Sequence, residues 1–354
     1  MDASFWKGRR VFITGHTGFK GAWLCLWLNK LGAKVTGYAL EPVTEPSLFE
    51  VANVAGGMDS LIGDIRDRKK LTQAMLEAQP TFVIHMAAQA LVRYSYQHPV
   101  ETYEVNVMGT VNLLEAVREC DSVKSVLVIT SDKCYENKER STGYKEDEAM
   151  GGYDPYSNSK GCTELVVSAY RQSFFSSLPH PVAIATARAG NVIGGGDWSQ
   201  DRLIPDMVCA FHAGQAVSIR NPSAVRPWQH VFEALHGYLL LLERMDEDPQ
   251  SFAQGWNFGP EDKDAKDVAW IVKTFVSYWG HADWNIEADI EKLHEAHTLR
   301  LDCSKARAEL NWSPVVDLEC ALKWTAEWYR CYYDGRDMLG ISMQQLDEFQ
   351  GRVI

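Results

Sequence analysis

The chain lacks a surplus of positive charge: 35 Lys and Arg stand against 47 Asp and Glu, a net charge of −12. That balance excludes a general nucleic-acid or anionic-membrane surface, because phosphates draw proteins in through clustered Lys and Arg. An anionic small ligand would need a local basic cluster. The chain also lacks any C-x-x-C pair. Its eight cysteines, Cys25, Cys120, Cys134, Cys162, Cys209, Cys303, Cys320 and Cys331, form no cluster with histidine, so no metal site is expected. No uncharged apolar run approaches the roughly 18 residues of a membrane span. The N-terminus has no signal-peptide layout. The expectation is a cytoplasmic protein with free thiols and no membrane or nucleic-acid partner. No internal repeat is evident. What is present is ordinary globular composition, 46% hydrophobic and 23% charged over 354 residues, enough for one large domain or two unequal ones.

Short apolar runs alternate with longer helical patterns through the first half. Arg10 to Thr14, Lys34 to Tyr38, Thr81 to His85, Ser125 to Thr130 and Val182 to Thr186 read as strands, and the intervening periods predict parallel β-α-β units. From about Arg188 the rhythm breaks into loops and shorter helices, predicted at Leu203 to Ala213, Val231 to Met245 and Ala265 to Tyr278. A smaller, irregular lobe with a cleft beside it is expected.

Two motifs carry chemistry. The first strand runs into Gly15-His16-Thr17-Gly18-Phe19-Lys20-Gly21 and then an apolar helix. Glycines let backbone amides approach a pyrophosphate, and the helix N-terminus adds partial positive charge. Glu41, 20 residues after Gly21, stands where a carboxylate would accept from ribose hydroxyls and repel a 2′-phosphate, favouring NAD over NADP; a solvated loop carboxylate is the other reading. Asp64 sits where a third strand would end, or in a plain turn. The second motif, Tyr156-x-x-x-Lys160, places phenol and ammonium on one helix face. A cation beside the phenol lowers its pKa from about 10, so that Tyr156 takes an alcohol proton near neutrality.

Together with His85-Met-Ala87-Ala88-Gln89, Asn106 and the strand end at Thr130, these motifs resemble the extended short-chain dehydrogenase/reductase family over nearly the whole chain. The resemblance implies an α/β fold: a Rossmann-type doubly wound parallel sheet with a smaller mixed α/β C-terminal lobe. We expect residues 1–187 to form the NAD-binding domain, with some later segments returning to it, and 188–354 mainly the nucleotide-sugar lobe. It also implies NAD as cofactor, contacted by the loop residues 15–21, Glu41, Asp64, Ile65, Ala87, Ala88, Asn106, Thr130, Tyr156 and Lys160.

Within the family, Thr130-Ser131-Asp132-Lys133-Cys134-Tyr135-Glu136-Asn137 resembles the nucleotide-sugar 4,6-dehydratases, and specifically the branch acting on CDP-glucose, because Lys follows Asp where the others carry Glu. The implied catalytic set is Ser131, Asp132, Lys133, Tyr156 and Lys160. Asn191, Arg202, Leu203, Arg226 and Arg300 would hold the sugar nucleotide, the arginines of this set through forked donors suited to phosphate, while Gln89, Arg93 and Ser95, after the fourth strand, read either as lining of the sugar pocket or as plain loop polarity. A nucleotide-sugar epimerase or simple dehydrogenase would need only Ser131, Tyr156 and Lys160. Family membership further implies a homodimer through helices at Val100 to Glu119 and Tyr156 to Phe175, and a product feeding dideoxyhexoses of bacterial surface polysaccharide such as lipopolysaccharide O-antigen.

Two departures stand out. His16 and Lys20 replace small or apolar residues of the related dTDP-sugar enzymes, and Lys133 replaces an acid. An unperturbed lysine of pKa about 10.4 is neutral only to roughly 0.04% at pH 7, so Lys133 acts either as a base made neutral by desolvation or as a cation stabilising an enolate. His294-Glu-Ala-His297 reads as an ordinary surface helix, and the aromatic stretch Trp324 to Tyr333 as packing.

Overall fold

The computed structural model describes residues 3–177, 181–219, 221–280, 282–286 and 298–353. Six strands arise by residue 189: β1 (Arg10–Thr14), β2 (Lys34–Ala39), β3 (Asp59–Ile62), β4 (Phe82–His85), β5 (Ser125–Ile129) and β6 (Ala183–Ala189). They are followed by β7 (Asn191–Ile193), β8 (Val217–Ile219), β9 (Val225–His230) and β10 (Gly255–Phe258). A seven-stranded sheet runs in the order β10-β6-β5-β4-β1-β2-β3, every pairing parallel. β4, β5 and β6 are buried throughout, as expected of parallel strands covered on both faces.

Alternation along each strand splits the core. Val11, Ile13, Ile84 and Leu127 face one layer, packed with Trp23 and Trp27 of the helix Phe19–Lys30 and Phe232 of the helix Val231–Glu247. Phe12, Val83, Val126 and Val128 face the other, against Leu71, Leu113 and Val167 of three helices. The first layer continues without a break into Trp228, Trp312 and Trp328, so one core crosses residue 187. β10 likewise joins the main sheet beside β6.

The strand order reverses between β1 and β4, which opens a crevice at their C-terminal ends. Beside it β7, β9 and β11 (Ala265–Asp267) form a three-stranded sheet, and β8 pairs with β12 (Trp284–Ile286). Ala265 to Asp267, expected as helix, is extended: it pairs with Arg226 and Pro227, and Asp267 then caps the helix Val268–Trp279 by accepting from Trp270 N. The helix expected over Val100 to Glu119 is interrupted by a π-turn at Glu104–Met108 that carries Asn106. Trp324, Trp328 and Tyr329 are core residues of the helix Leu318–Tyr333. His294 and His297 lie outside the described residues.

Glu233, fully buried, fastens the C-terminal segment to this core. Its Oε1 accepts from Val315 N (2.9 Å) and Val316 N (2.7 Å), while Oε2 has no hydrogen-bond partner among the described residues. Burial outweighs the two N–H groups and pushes the carboxyl up to about 8. The native state therefore keeps a proton that the unfolded chain loses near pH 4.3, so this group's stabilisation, complete below that pH, is lost as pH rises towards 8. Glu233→Gln, neutral and of the same shape, is expected to gain stability over the parent as pH rises, read as a growing gap between urea midpoints at about pH 6 and about pH 9.

Candidate active site

A cleft of about 1010 Å³ lies over the C-terminal ends of β1, β4, β5 and β6, at the upper end of the size of small-molecule sites. Its floor on one side is the glycine loop. A Cβ on Gly21 would stand 2.1 Å from Gly15 O, and one on Gly15 2.7 Å from Ala87 N, so neither position accepts a side chain. Gly18, by contrast, meets nothing closer than Gly15 O at 3.5 Å and is the N-cap of the helix Phe19–Lys30, with no side chain capping it. Backbone N–H groups at that helix end remain for a ligand, and a dinucleotide pyrophosphate fits this cradle. Thr17, Phe19, Lys20 and Ala88 also line the cleft.

Thr14 Oγ1 accepts from Met86 N and Ala87 N (3.2 Å each) and lies 2.6 Å from His85 Nδ1, which ties the loop after β4 to the end of β1. His16 turns away from the cleft: its ring fills the space beside Gly37, 2.7 Å from Ser60 Oγ, and burial lowers its pKa to about 4. Lys20 points inward to Tyr238 OH (3.0 Å), where burial and the cations Lys160 and Arg202 lower it to about 7.

On the other side, the helix Pro155–Ser173 begins with Pro155 at its first position and Asp154 as N-cap, accepting from Ser157 N at 2.9 Å. That start aims Tyr156 and Lys160 at the end of β5, where Lys160 Nζ donates to Ile129 O (3.2 Å). Thr130, Ser131, Asp132 and Lys133 follow β5 directly and line the same cleft. Ser131 Oγ donates to Asp132 Oδ1 (2.9 Å) and accepts from Lys133 N (3.2 Å); Lys133 Nζ lies 6.0 Å from the Tyr156 ring centre. Burial pushes Asp132 above the ordinary carboxylate range, against the pull of Lys133 and the Ser131 hydrogen bond. It also pushes Tyr156 up to about 12, opposed by its bond to Ser131, and Lys160 down to about 8, opposed by Glu164.

The second half closes the cleft with Asn191, Arg202, Leu203 and Arg226. Arg202 is held by buried Asp197 (Nη1–Oδ2 3.0 Å), which Tyr329 fixes in turn by donating to its carbonyl and accepting from its N–H (2.9 Å). Asp197 and Trp198, both in the lining, escape sequence reasoning; an acid five residues before a candidate phosphate ligand is the one signal, and loop spacing has no period to reveal it. Arg93 lies in the lining 3.8 Å from Asp201.

Several expected ligands stand elsewhere. Glu41 is exposed beyond β2, outside the lining. Asp64 is engaged by Arg66 (2.6 Å), which holds its carboxyl below the usual range, and Ile65 packs in the core against Gly109. Ser95 is buried and accepts from Tyr156 N (3.2 Å), bracing the first turn of the helix Pro155–Ser173. Asn106 donates to Ser159 Oγ (2.8 Å) and Gln89 O (3.0 Å), and Gln89 donates to Thr102 (2.9 Å), so these side chains link the loop after β4 to the helices behind it. Arg300 lies outside the lining, 3.7 Å from Asp262.

A family model described as GDP-mannose 4,6 dehydratase matches residues 12–325. The chain is 53% identical over 353 residues to the CDP-glucose 4,6-dehydratase of Salmonella typhimurium, covering 99% of this chain and 98% of that protein. Among solved structures, the UDP-glucose 4-epimerase of Stenotrophomonas maltophila with bound NAD superposes with a TM-score of 0.79 at 20% identity, over 92% of this chain and 99% of that one. A double mutant of the Streptomyces venezuelae dTDP-glucose 4,6-dehydratase with NAD bound gives 0.78 at 21% identity, over 93% and 99%. These two share the parallel sheet and crevice. With the model matched across the sheet and both walls of the cleft, and with more than half of all positions shared with the Salmonella protein, the chain belongs to the GDP-mannose 4,6 dehydratase family of extended short-chain dehydrogenase/reductases.

Proposed function

We propose that the chain is a hydro-lyase that dehydrates CDP-glucose to its 4-keto-6-deoxy sugar with NAD as a recycled cofactor. The observation that carries this is the gathering of a buried acid, Asp132, with Ser131, Tyr156 and Lys160 in one cleft, an acid that water elimination requires and epimerisation does not; burial pushes that carboxyl towards its protonated form. The likeness to the Salmonella CDP-glucose 4,6-dehydratase supports both reaction and nucleotide. Bound NAD would supply a hydride acceptor at C4 and a hydride donor at C6, without net consumption.

The chain's own residues account for the protons. Tyr156 takes the C4 hydroxyl proton while Ser131 holds the oxygen and Lys160 balances the phenolate. The ketone so formed acidifies the C5 hydrogen. Asp132 gives its proton to the departing C6 hydroxyl, which leaves as water, while Lys133 takes the proton from C5 and gives one back to C5 when C6 receives hydride. Arg202 and Arg226 would receive the diphosphate, giving an acidic protein its local cations.

Incubation with NAD and each nucleoside-diphosphate glucose is expected to yield loss of one water from CDP-glucose by mass spectrometry; a product retaining its 6-hydroxyl would point to an epimerase or simple dehydrogenase instead. Lys133→Met is expected to abolish entry of solvent deuterium at C5 while oxidation at C4 remains visible as reduced-nicotinamide absorbance. Unchanged deuterium entry would remove Lys133 from the base role.

The active form we infer is a cytoplasmic homodimer serving bacterial surface-polysaccharide synthesis. Val100 (69% exposed), Met108 (51%) and Leu165 (60%) place apolar side chains on neighbouring helices, which Tyr103 and Asn158 bond together at 2.9 Å. A second copy covering this face accounts for their exposure. Leu165→Glu is expected to shift the protein to monomer by analytical ultracentrifugation.

A further inference from the structure

The catalytic helix carries a third inward-facing group. Glu164 stands four residues after Lys160 and eight after Tyr156, so the three share one face, and it is 5% exposed. Four donors converge on its carboxylate. Thr130 Oγ1 and Arg188 Nε (2.9 Å) reach Oε1, and Thr186 Oγ1 (2.7 Å) and Arg188 Nη2 (2.9 Å) reach Oε2. The donors come from the end of β5 and from β6, so one carboxylate joins the strand that delivers Ser131 to the helix that delivers Tyr156. Buried Arg188 continues to Tyr135 OH and to Glu146 O (3.0 Å). A forked, doubly satisfied pair fixes position as well as charge. Burial works against ionisation of Glu164, but Arg188 and the two threonine hydroxyls outweigh it and hold the carboxyl below its usual range.

The surroundings of Lys160 give that charge a second effect. His85 faces it from β4, kept neutral by burial at a pKa of about 3. Lys20, of like charge, faces it from the glycine-loop helix. Cys134 faces it from the turn after β5, its thiol pushed well up by burial and by Glu164. Among these described groups Glu164 is the one that carries a negative charge near neutrality, and it opposes the loss of the Lys160 proton that burial favours.

We propose that Glu164, clamped by Arg188, is a positioning residue that locks the end of β5 to the catalytic helix and holds Lys160 as a cation. The proposal rests on Tyr156 and Lys160 being the pair that moves the C4 proton. Its primary test does not use turnover: full-length protein with 13Cε-labelled lysine is titrated by NMR, the Lys160 resonance being assigned by its absence in Lys160→Met. Glu164→Gln is expected to lower the Lys160 midpoint by about one pH unit, tenfold in proton affinity, while Glu164→Asp, which keeps the charge, stays near the parent value. The high-pH limb of kcat/KM, where protonated Lys160 is lost, is expected to move down with it. Should unpaired Arg188 prevent folding of Glu164→Gln, the double variant Glu164→Gln/Arg188→Met, neutral at both positions, is expected to lower the midpoint in the same direction but by less, because a cation leaves with the anion. An unmoved Lys160 midpoint in whichever of these folds overturns the proposal, as does an equal shift in Glu164→Asp, which would trace the effect to packing. Failure of the parent to dehydrate CDP-glucose would sink the functional reading and leave this titration to be judged on its own.

Discussion

The withdrawal of ionisable groups from water at the end of β5 is the constraint on which the rest depends. Burial raises Asp132 and Tyr156 and lowers Lys160, so each group is moved towards its neutral form before any ligand arrives. Water elimination asks for an acid, and burial moves Asp132 in that direction. A phenol that keeps its proton is not yet a base, and the compensating positive charge must come from Lys160 and from whatever cation binds beside it. The glycine cradle, where no side chain caps the helix, is built to bring a phosphate-bearing ligand to that spot.

The scaffold serves this constraint by converging short elements on a few atoms. Thr14, His85 and the amides of Met86 and Ala87 fix the reversal between β1 and β4. Ser95 and Asp154 fix the first turn of the helix Pro155–Ser173, and Asn106, placed by the π-turn, fixes its next turn through Ser159. The arginines of the second half are set in the same manner, Arg202 by a buried aspartate that itself hangs on Tyr329. Lys160 and Arg202 thus each have a partner behind them, which restricts their geometry.

Much of this was legible in the chain itself. The apolar runs at β1, β4 and β5 are buried on both faces, and such runs announce a covered parallel sheet; β1 appears at the expected residues. β3 and β10 were harder, because the first is short and partly exposed and the second joins the sheet only by pairing with β6 across nearly seventy residues of sequence. Ala265 to Asp267 reads helical in isolation and becomes a strand because Arg226 and Pro227 lie alongside. Gln89, Ser95 and Asn106 carry the hydrogen-bonding side chains that make them candidate ligands, and here those side chains also brace neighbouring segments.

The sequence by itself determined the local chemistry: a glycine loop between strand and helix, a phenol and an ammonium one turn apart, and a serine, an acid and a lysine in succession after an apolar strand. Those follow from covalent order and helical period, which act over a few residues. Only the tertiary structure decided which of these groups lose water, which carboxylates find arginines, and that Glu164 is buried and paired while Glu41 stays exposed. The physical reason is that solvation and ion pairing depend on everything packed within a few ångströms, and here that company comes from strands and helices far apart along the chain.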